Sequence, residues 1–253
     1  VQRHDHIRFL DAEGERMAEA AERAGLDAEV PTCPGWRVRD LLRHTGGVHR
    51  WATEIVGAPC ARPPGGQRTR ELMESWPEDD AGLLGWFAEG HRRLVEILDA
   101  APQDTECWSF LPAPSPVAFW ARRQAHETTV HRLDAEAAAG AAAAAPVPAD
   151  LAADGIEELL TGFFARRDGR ITADPARTLA VRAADTGHHW PVTVAPHGVD
   201  VAPHPDAAEC TVSGPAADLY ALLWNRADGD GLAVAGDPAV LTFWRDRAHV
   251  TWG

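Results

Sequence analysis

The chain contains no lysine: all 24 of its basic residues are arginines. That absence excludes a Schiff-base lysine and a P-loop phosphate lysine, and with them pyridoxal-phosphate enzymes, lysine-dependent aldolases and Walker-type ATPases. Cysteine is scarce. Cys33, Cys60, Cys107 and Cys210 have no paired spacing, so they read as neither a zinc ribbon nor a redox pair, and the pattern fits a reducing cytoplasm. No apolar run approaches the roughly 18 residues of a membrane span, and no charged-then-apolar leader is visible, so neither anchor nor export signal is expected. Basic residues are outnumbered by 38 acidic ones, giving a net charge of −14, which argues against nucleic acid or an anionic membrane as partner. No glycine-rich nucleotide loop occurs, and Asp228-Gly229-Asp230-Gly231 lacks the ligand spacing of a calcium loop.

What is present reads first as helices. His4 to Ala24 carries Ile7, Leu10, Met17 and Ala21 on one face, and Gly25 stops it. Pro31 to Gly35 is a turn, and a second helix runs from about Trp36 to Val56 on Val38, Leu41, Val48, Ala52 and Ile55. His44 and His49 flank that face on opposite sides, and periodicity cannot choose between them as ligands. Gly57 to Gln67 reads as a loop, followed by a third helix from Glu78 to Ala100 whose inward stripe includes His91, a competing ligand candidate. Pro102 to Pro114 is too rich in proline for a helix and should cross a bundle end.

The fourth helix, Ser115 to Glu136, departs from this pattern. Serine followed by proline is a strong helix start. At about 100° per residue, Trp120, Gln124, Glu127, His131 and Asp134 then fall in one stripe, polar where packing alone would make it apolar. Glu127 and His131, four apart, can converge on one cation, and Asp134 can take the other ring N–H of His131. An exposed Glu–His pair on a solvated face gives the same spacing. His126 and His131 are five apart and diverge by about 140°, which rules out the zinc-protease arrangement. Arg123, four before Glu127, can place a guanidinium near that carboxylate, although a helix-surface ion pair is the commoner outcome of this spacing, and Cys33 reads as packing.

Four amphipathic helices predict a bundle over residues 1–140. Gly140 to Asp150, mostly alanine and proline, reads as a tether. Residues 150–253 have another texture. A helix near Leu151 to Arg166 precedes four alternating runs, Thr178–Ala184, Trp190–Pro196, Gly198–Ala202 and Glu209–Val212. Helices follow at Pro215–Arg226 and Pro238–Ala248. The expected class is α+β in two domains, a four-helix bundle followed by a small α+β domain with a mostly antiparallel sheet and helices on one face. His188-His189, His197 and His204 read as surface histidines of this part.

Two stretches resemble a known family. Thr32-Cys33-Pro34-Gly35-Trp36-Arg37-Val38-Arg39-Asp40-Leu41-Leu42-Arg43-His44 is similar to the second-helix motif of the mycothiol-dependent maleylpyruvate isomerase family, a branch of the DinB-like bundles. Arg123 to Asp134 is similar to its fourth-helix motif, and the tail resembles its sterol-carrier-like C-terminal domain. The resemblance implies a divalent metal, usually zinc, on His44, Glu127 and His131, and so selects His44 over His49. It implies mycothiol as thiol cosubstrate, and places Arg226 where a C-terminal arginine contacts an anionic substrate or the thiol.

Two imidazoles and a carboxylate leave a position open on zinc, the arrangement of catalytic sites. A thiol bound there would ionise and add to a small electrophile, making the chain a cis–trans isomerase or an S-transferase. A hydrolase using the same site, or a non-catalytic small-molecule or lipid carrier, are the alternatives. A cytoplasmic monomer or weak dimer is expected.

Overall fold

The computed structural model describes residues 1–58, 61–140, 145–166, 171–203 and 207–250. The chain divides into two units, Val1–Ala145 and Pro146–Gly253. Cys60, His204 and residues 141–144 of the tether lie outside the described residues. Among the described residues, no disulfide is formed and no helix is long and apolar enough to cross a membrane.

The first unit is built on α1 (Arg3–Ala24), α2 (Val38–Gly57), α4 (Leu83–Ala100) and α5 (Pro116–Ala138), with a short α3 (Gly66–Met73) on the side. The third long helix begins at Leu83, behind a 3₁₀ turn at Asp80–Gly82, five residues later than its sequence start at Glu78. The helix α3 falls partly in the segment read as a loop. It buries no residue, so it carries no apolar stripe from which a helix could be read.

The four long helices form a square. The helix α5 lies beside α1 and α2, and α4 closes the figure against the same two, while α1 with α2 and α4 with α5 meet marginally across the diagonals. Two connections must therefore cross the bundle ends. One is the segment from Gly25 to Arg37, tied down by the bridge between Glu29 and Arg37 and by Val38 N–H to Ala28 O at 3.0 Å. Met17, Ala20, Val38, Leu41, Leu42, Leu83 and Phe87 fill the core around it. Gly14 of α1 is needed for packing: a Cβ there would lie 2.2 Å from the His91 ring of α4.

The helix α5 starts as its sequence dictates, with Ser115 Oγ accepting from Ala118 N at 3.2 Å and Pro116 in the first turn. It is buried on all sides yet largely polar, because many of its polar side chains pair with neighbouring helices or with one another. Arg132 reaches Glu13 of α1 at 2.7 Å and Glu136 at 2.6 Å. Thr128 meets His49 of α2 at 2.9 Å, and His126 lies against His6 of α1.

The second unit opens with α6 (Ala149–Glu157), which continues as a π-helical turn over Glu158–Phe164. Its sheet orders β1 (Arg177–Ala183), β2 (His189–Ala195), β3 (Gly198–Val201), β4 (Cys210–Gly214) and β5 (Ala233–Gly236) as β3-β2-β1-β4-β5. The sheet is mostly antiparallel, as expected, with one exception: β1 and β4 pair in parallel, with Leu179 opposite Cys210. Alternation reveals a strand but not its direction, and here β3 already leads away from β1 before the chain returns along its open edge. The edge strand β5 went unread because all four residues are exposed, leaving no inward–outward alternation. Leu179, Val181, Val192 and Val212 are buried with Leu219 and Tyr220 of α7 (Ala216–Leu223) and Trp244 of α8 (Pro238–Arg247).

Candidate metal centre

Both His44 and His49 of α2 reach α5, but only His44 meets the polar stripe, since His49 turns to Thr128. His44 Nε2 lies 3.2 Å from Glu127 Oε1, and His131 Nε2 lies 3.3 Å from the same oxygen. One ligand atom from each of His44, Glu127 and His131 falls within 4.8 Å of the other two. The side chains are 21%, 9% and 11% exposed respectively, so the cluster is sunk into the bundle with its His44 side nearest solvent.

The other histidines have other work. His49 is fully buried, with Nε2 at 2.9 Å from the Thr128 hydroxyl and its ring against Phe87 and His91. His91 Nε2 lies 3.2 Å from the Asp11 carbonyl. His126 sits on the α1 side of α5, as its spacing from His131 requires. In the second unit, His188 and His197 are exposed and pair with Thr186 and Asp200, while His189 begins β2.

His131 is oriented from behind. Its Nδ1–H donates to Asp134 Oδ2 at 2.8 Å, which leaves Nε2 as the atom facing Glu127. Asp134 is itself held by the chain that crosses the bundle end. The Thr32 hydroxyl donates to Oδ1, and the Cys33 thiol donates to Oδ2 at 3.5 Å. Trp36 from the same turn stacks near-parallel to His131 at 6.4 Å and meets His44 edge-on at 5.1 Å. Thr32 and Trp36 were not read as site residues, although both lie in the first motif. Their contribution depends on a diagonal crossing that local spacing does not reveal.

Arg123 takes the less common outcome of its spacing. It is 2% exposed, and Nη2 donates to Glu127 Oε2 at 3.2 Å, so it is an interior pair and not a surface one. The signal was the i,i+4 spacing. What was missing was the burial of α5 on every side. Arg226 lies in the second unit, just after α7, with Nη1 donating to the Trp224 carbonyl at 2.7 Å.

The electrostatics follow from these contacts. Burial pushes the Glu127 carboxyl up, but hydrogen bonds from His131 and His44 and the charge of Arg123 outweigh it and hold it well below the usual carboxylate range. Burial works against a charge on His131 too, yet hydrogen bonds to Asp134 and Glu127 raise it to about 9. Burial beside His91 drives His49 well below its ordinary value. Without a cation, the cluster thus holds a proton on His131 between two carboxylates. Two imidazoles and one carboxylate, one imidazole backed by an acid, is the donor set of a three-ligand zinc-type site.

The family model for the mycothiol maleylpyruvate isomerase N-terminal domain matches residues 7–136, and that for the C-terminal domain of the same family matches residues 150–243. No curated protein matches the chain. Solved structures of the mycothiol-dependent maleylpyruvate isomerase and of a histidine-to-alanine mutant of it share the fold, at TM-scores of 0.66 and 0.65. Each is 14% identical, with 93% of this chain and 93% of the other covered. With one family model spanning more than half of the sequence and a second spanning most of the remainder, this chain belongs to the mycothiol maleylpyruvate isomerase family.

Proposed function

We propose that the chain is a mycothiol-dependent enzyme acting on a small electrophile, with a divalent cation, zinc by preference, held by His44, Glu127 and His131. The observation that carries this reading is the convergence of three donor atoms from two helices, within 4.8 Å of one another, with Glu127 and His131 buried and His44 partly exposed. The donor set fits the group: neutral imidazoles and a carboxylate suit zinc, and three protein ligands leave a position for another molecule. When bound, the cation supplies the positive charge that keeps a thiol ionised at neutral pH.

The protein's own side chains do the rest. Asp134 keeps the Nδ1 proton of His131 in place, so that Nε2 presents its lone pair once the second proton has left. Trp36 covers both imidazoles and limits water around them. His44, the most exposed of the three, marks the side from which thiol and substrate reach the cluster. The reaction class is addition of the thiol sulfur to an electrophilic carbon. At a conjugated cis double bond, addition, rotation and elimination of the thiol give a cis–trans isomerase; at a carbon that bears a leaving group or belongs to an epoxide, departure of that group or ring opening as the C–S bond forms leaves a thioether, and the enzyme is an S-transferase. Arg226 is proposed, on the family pattern, as a contact for an anionic group of the thiol or substrate.

The test is consumption of a panel of electrophiles, monobromobimane and conjugated cis-diacids among them, with mycothiol and zinc-loaded protein. Acceleration over thiol alone that disappears in His44→Ala supports the reading. Turnover of ester or amide substrates without any thiol, and no acceleration with it, would replace it by a hydrolase.

A further inference from the structure

We propose that Arg123 is a positioning residue that divides the two oxygens of Glu127, fixing Oε1 toward His44 and His131 by occupying Oε2; this rests on the metal-centre reading above. Oε1 is the oxygen near both imidazoles, at 3.2 and 3.3 Å, and Oε2 is the oxygen that accepts from Arg123. A glutamate has three side-chain torsions, and buried beside two histidines it could turn either oxygen, or both, toward a cation. The guanidinium removes that choice. Its own position is fixed by α5, since residues four apart share a helix face.

The arrangement parallels that of His131. Each α5 ligand has one atom facing His44 and its other polar atom held by a charged side chain of the same helix, one turn away: Arg123 behind Glu127, Asp134 behind His131. Stability alone does not account for an arginine here, because a buried ion pair is commonly no better than well-packed apolar side chains. Lysine would be a poor substitute, as burial readily strips its proton whereas the guanidinium keeps its charge.

Two accounts of Arg123 predict opposite outcomes. As a mere charge it repels a cation, so its removal should tighten metal binding. As a positioning group its removal should loosen binding. The experiment is zinc affinity by competition with a chromophoric chelator, on the full chain as wild type, Arg123→Lys and Arg123→Met, with thermal melting of each. Arg123→Met should bind zinc about 10- to 100-fold more weakly, the range for losing a group that orients a ligand, and Arg123→Lys should fall between. The visible spectrum of the cobalt(II)-loaded Met variant should shift as both carboxylate oxygens reach the metal.

Zinc binding by Arg123→Met as tight as wild type or tighter overturns the assignment, whatever the melting temperature does. Should that variant not fold, Arg123→Lys decides: zinc affinity and cobalt spectrum matching wild type overturn it equally. Wild-type protein that binds no zinc overturns this inference together with the reading beneath it. Wild type that binds zinc while both variants match it removes Arg123 alone.

Discussion

The Nδ1–H of His131 donates to Asp134 Oδ2 at 2.8 Å, and Asp134 takes further hydrogen bonds from Thr32 and Cys33. The imidazole is thus fixed by a carboxylate that is itself fixed. Asp134→Ala should weaken zinc binding by about 10- to 100-fold, while His131→Ala, which deletes a donor, should abolish measurable binding under the same conditions. Competition with a chelator ranks the two. Equal losses would mean that Asp134 does more than orient the ring.

His44→Ala should lose the metal, whereas His49→Ala and His126→Ala should keep it. His49 nevertheless has a buried partner in Thr128, so His49→Ala should cost about 1–3 kcal/mol of folding stability. Metal content after dialysis and urea unfolding separate the two kinds of loss. Metal lost from His49→Ala and retained by His44→Ala would reverse the assignment.

How far could these distinctions be read from the sequence? Glu127, His131 and Asp134 share a stripe by spacing alone, and the helix that carries them begins at Ser115 and Pro116 as those residues require. The choice of His44 was not in the periodicity. Both histidines border the apolar face of α2 and both reach α5; what separates them is that His44 meets Glu127, whereas His49 meets Thr128 and lies against Phe87 and His91 of α4, a tertiary fact. The same holds for Thr32 and Trp36, which reach the cluster because the connection between α1 and α2 crosses a diagonal. For Arg123 the spacing leaves a surface pair and a site neighbour open, because surface and interior i,i+4 pairs look alike in sequence and α5 mixes buried polar and apolar residues with no clean apolar stripe. In the second unit β5 has no buried residue to set an alternation, and the parallel pairing of β1 with β4 is invisible to any local pattern.

The metal-free protein should be most stable near pH 6.5. Burial depresses the folded-state values of His49 and His91, so below about 6.5 the unfolded chain binds more protons and stability falls with falling pH. His131 has the opposite sign. Its value is raised to about 9, so the stability it contributes is complete below 6.5 and is lost as pH rises toward 9. Each group, while it responds fully, gives a slope of about 1.4 kcal/mol per pH unit. Urea unfolding between pH 5 and 9 should trace the two limbs. His49→Gln should flatten the acid limb, and His131→Gln the alkaline one. A metal-free protein whose stability climbs steadily through pH 9 would contradict this assignment of charges.

On another face of α5, Arg132 is fully buried between Glu13 of α1 and Glu136, and also donates to the Ala145 carbonyl at 2.7 Å. This network joins the first and fourth long helices to the chain that leaves the bundle. Arg132→Met should destabilise the protein by about 3–5 kcal/mol, because two buried carboxylates then lose their common counter-charge. Replacing all three residues together, with Glu13→Leu and Glu136→Leu added, should recover most of that loss, since it comes from Glu136 left without its counter-charge and Glu13 left with the part-exposed Arg16 alone, and not from the missing guanidinium. Zinc affinity should change little in the triple variant, because Arg132 is turned about 100° from His131 around the helix. Unfolding and metal titration on the same three proteins decide the matter: a single variant as stable as wild type would show that the carboxylates reach water unaided, and a triple variant that loses zinc would show that the α1 side of the helix is coupled to its metal side.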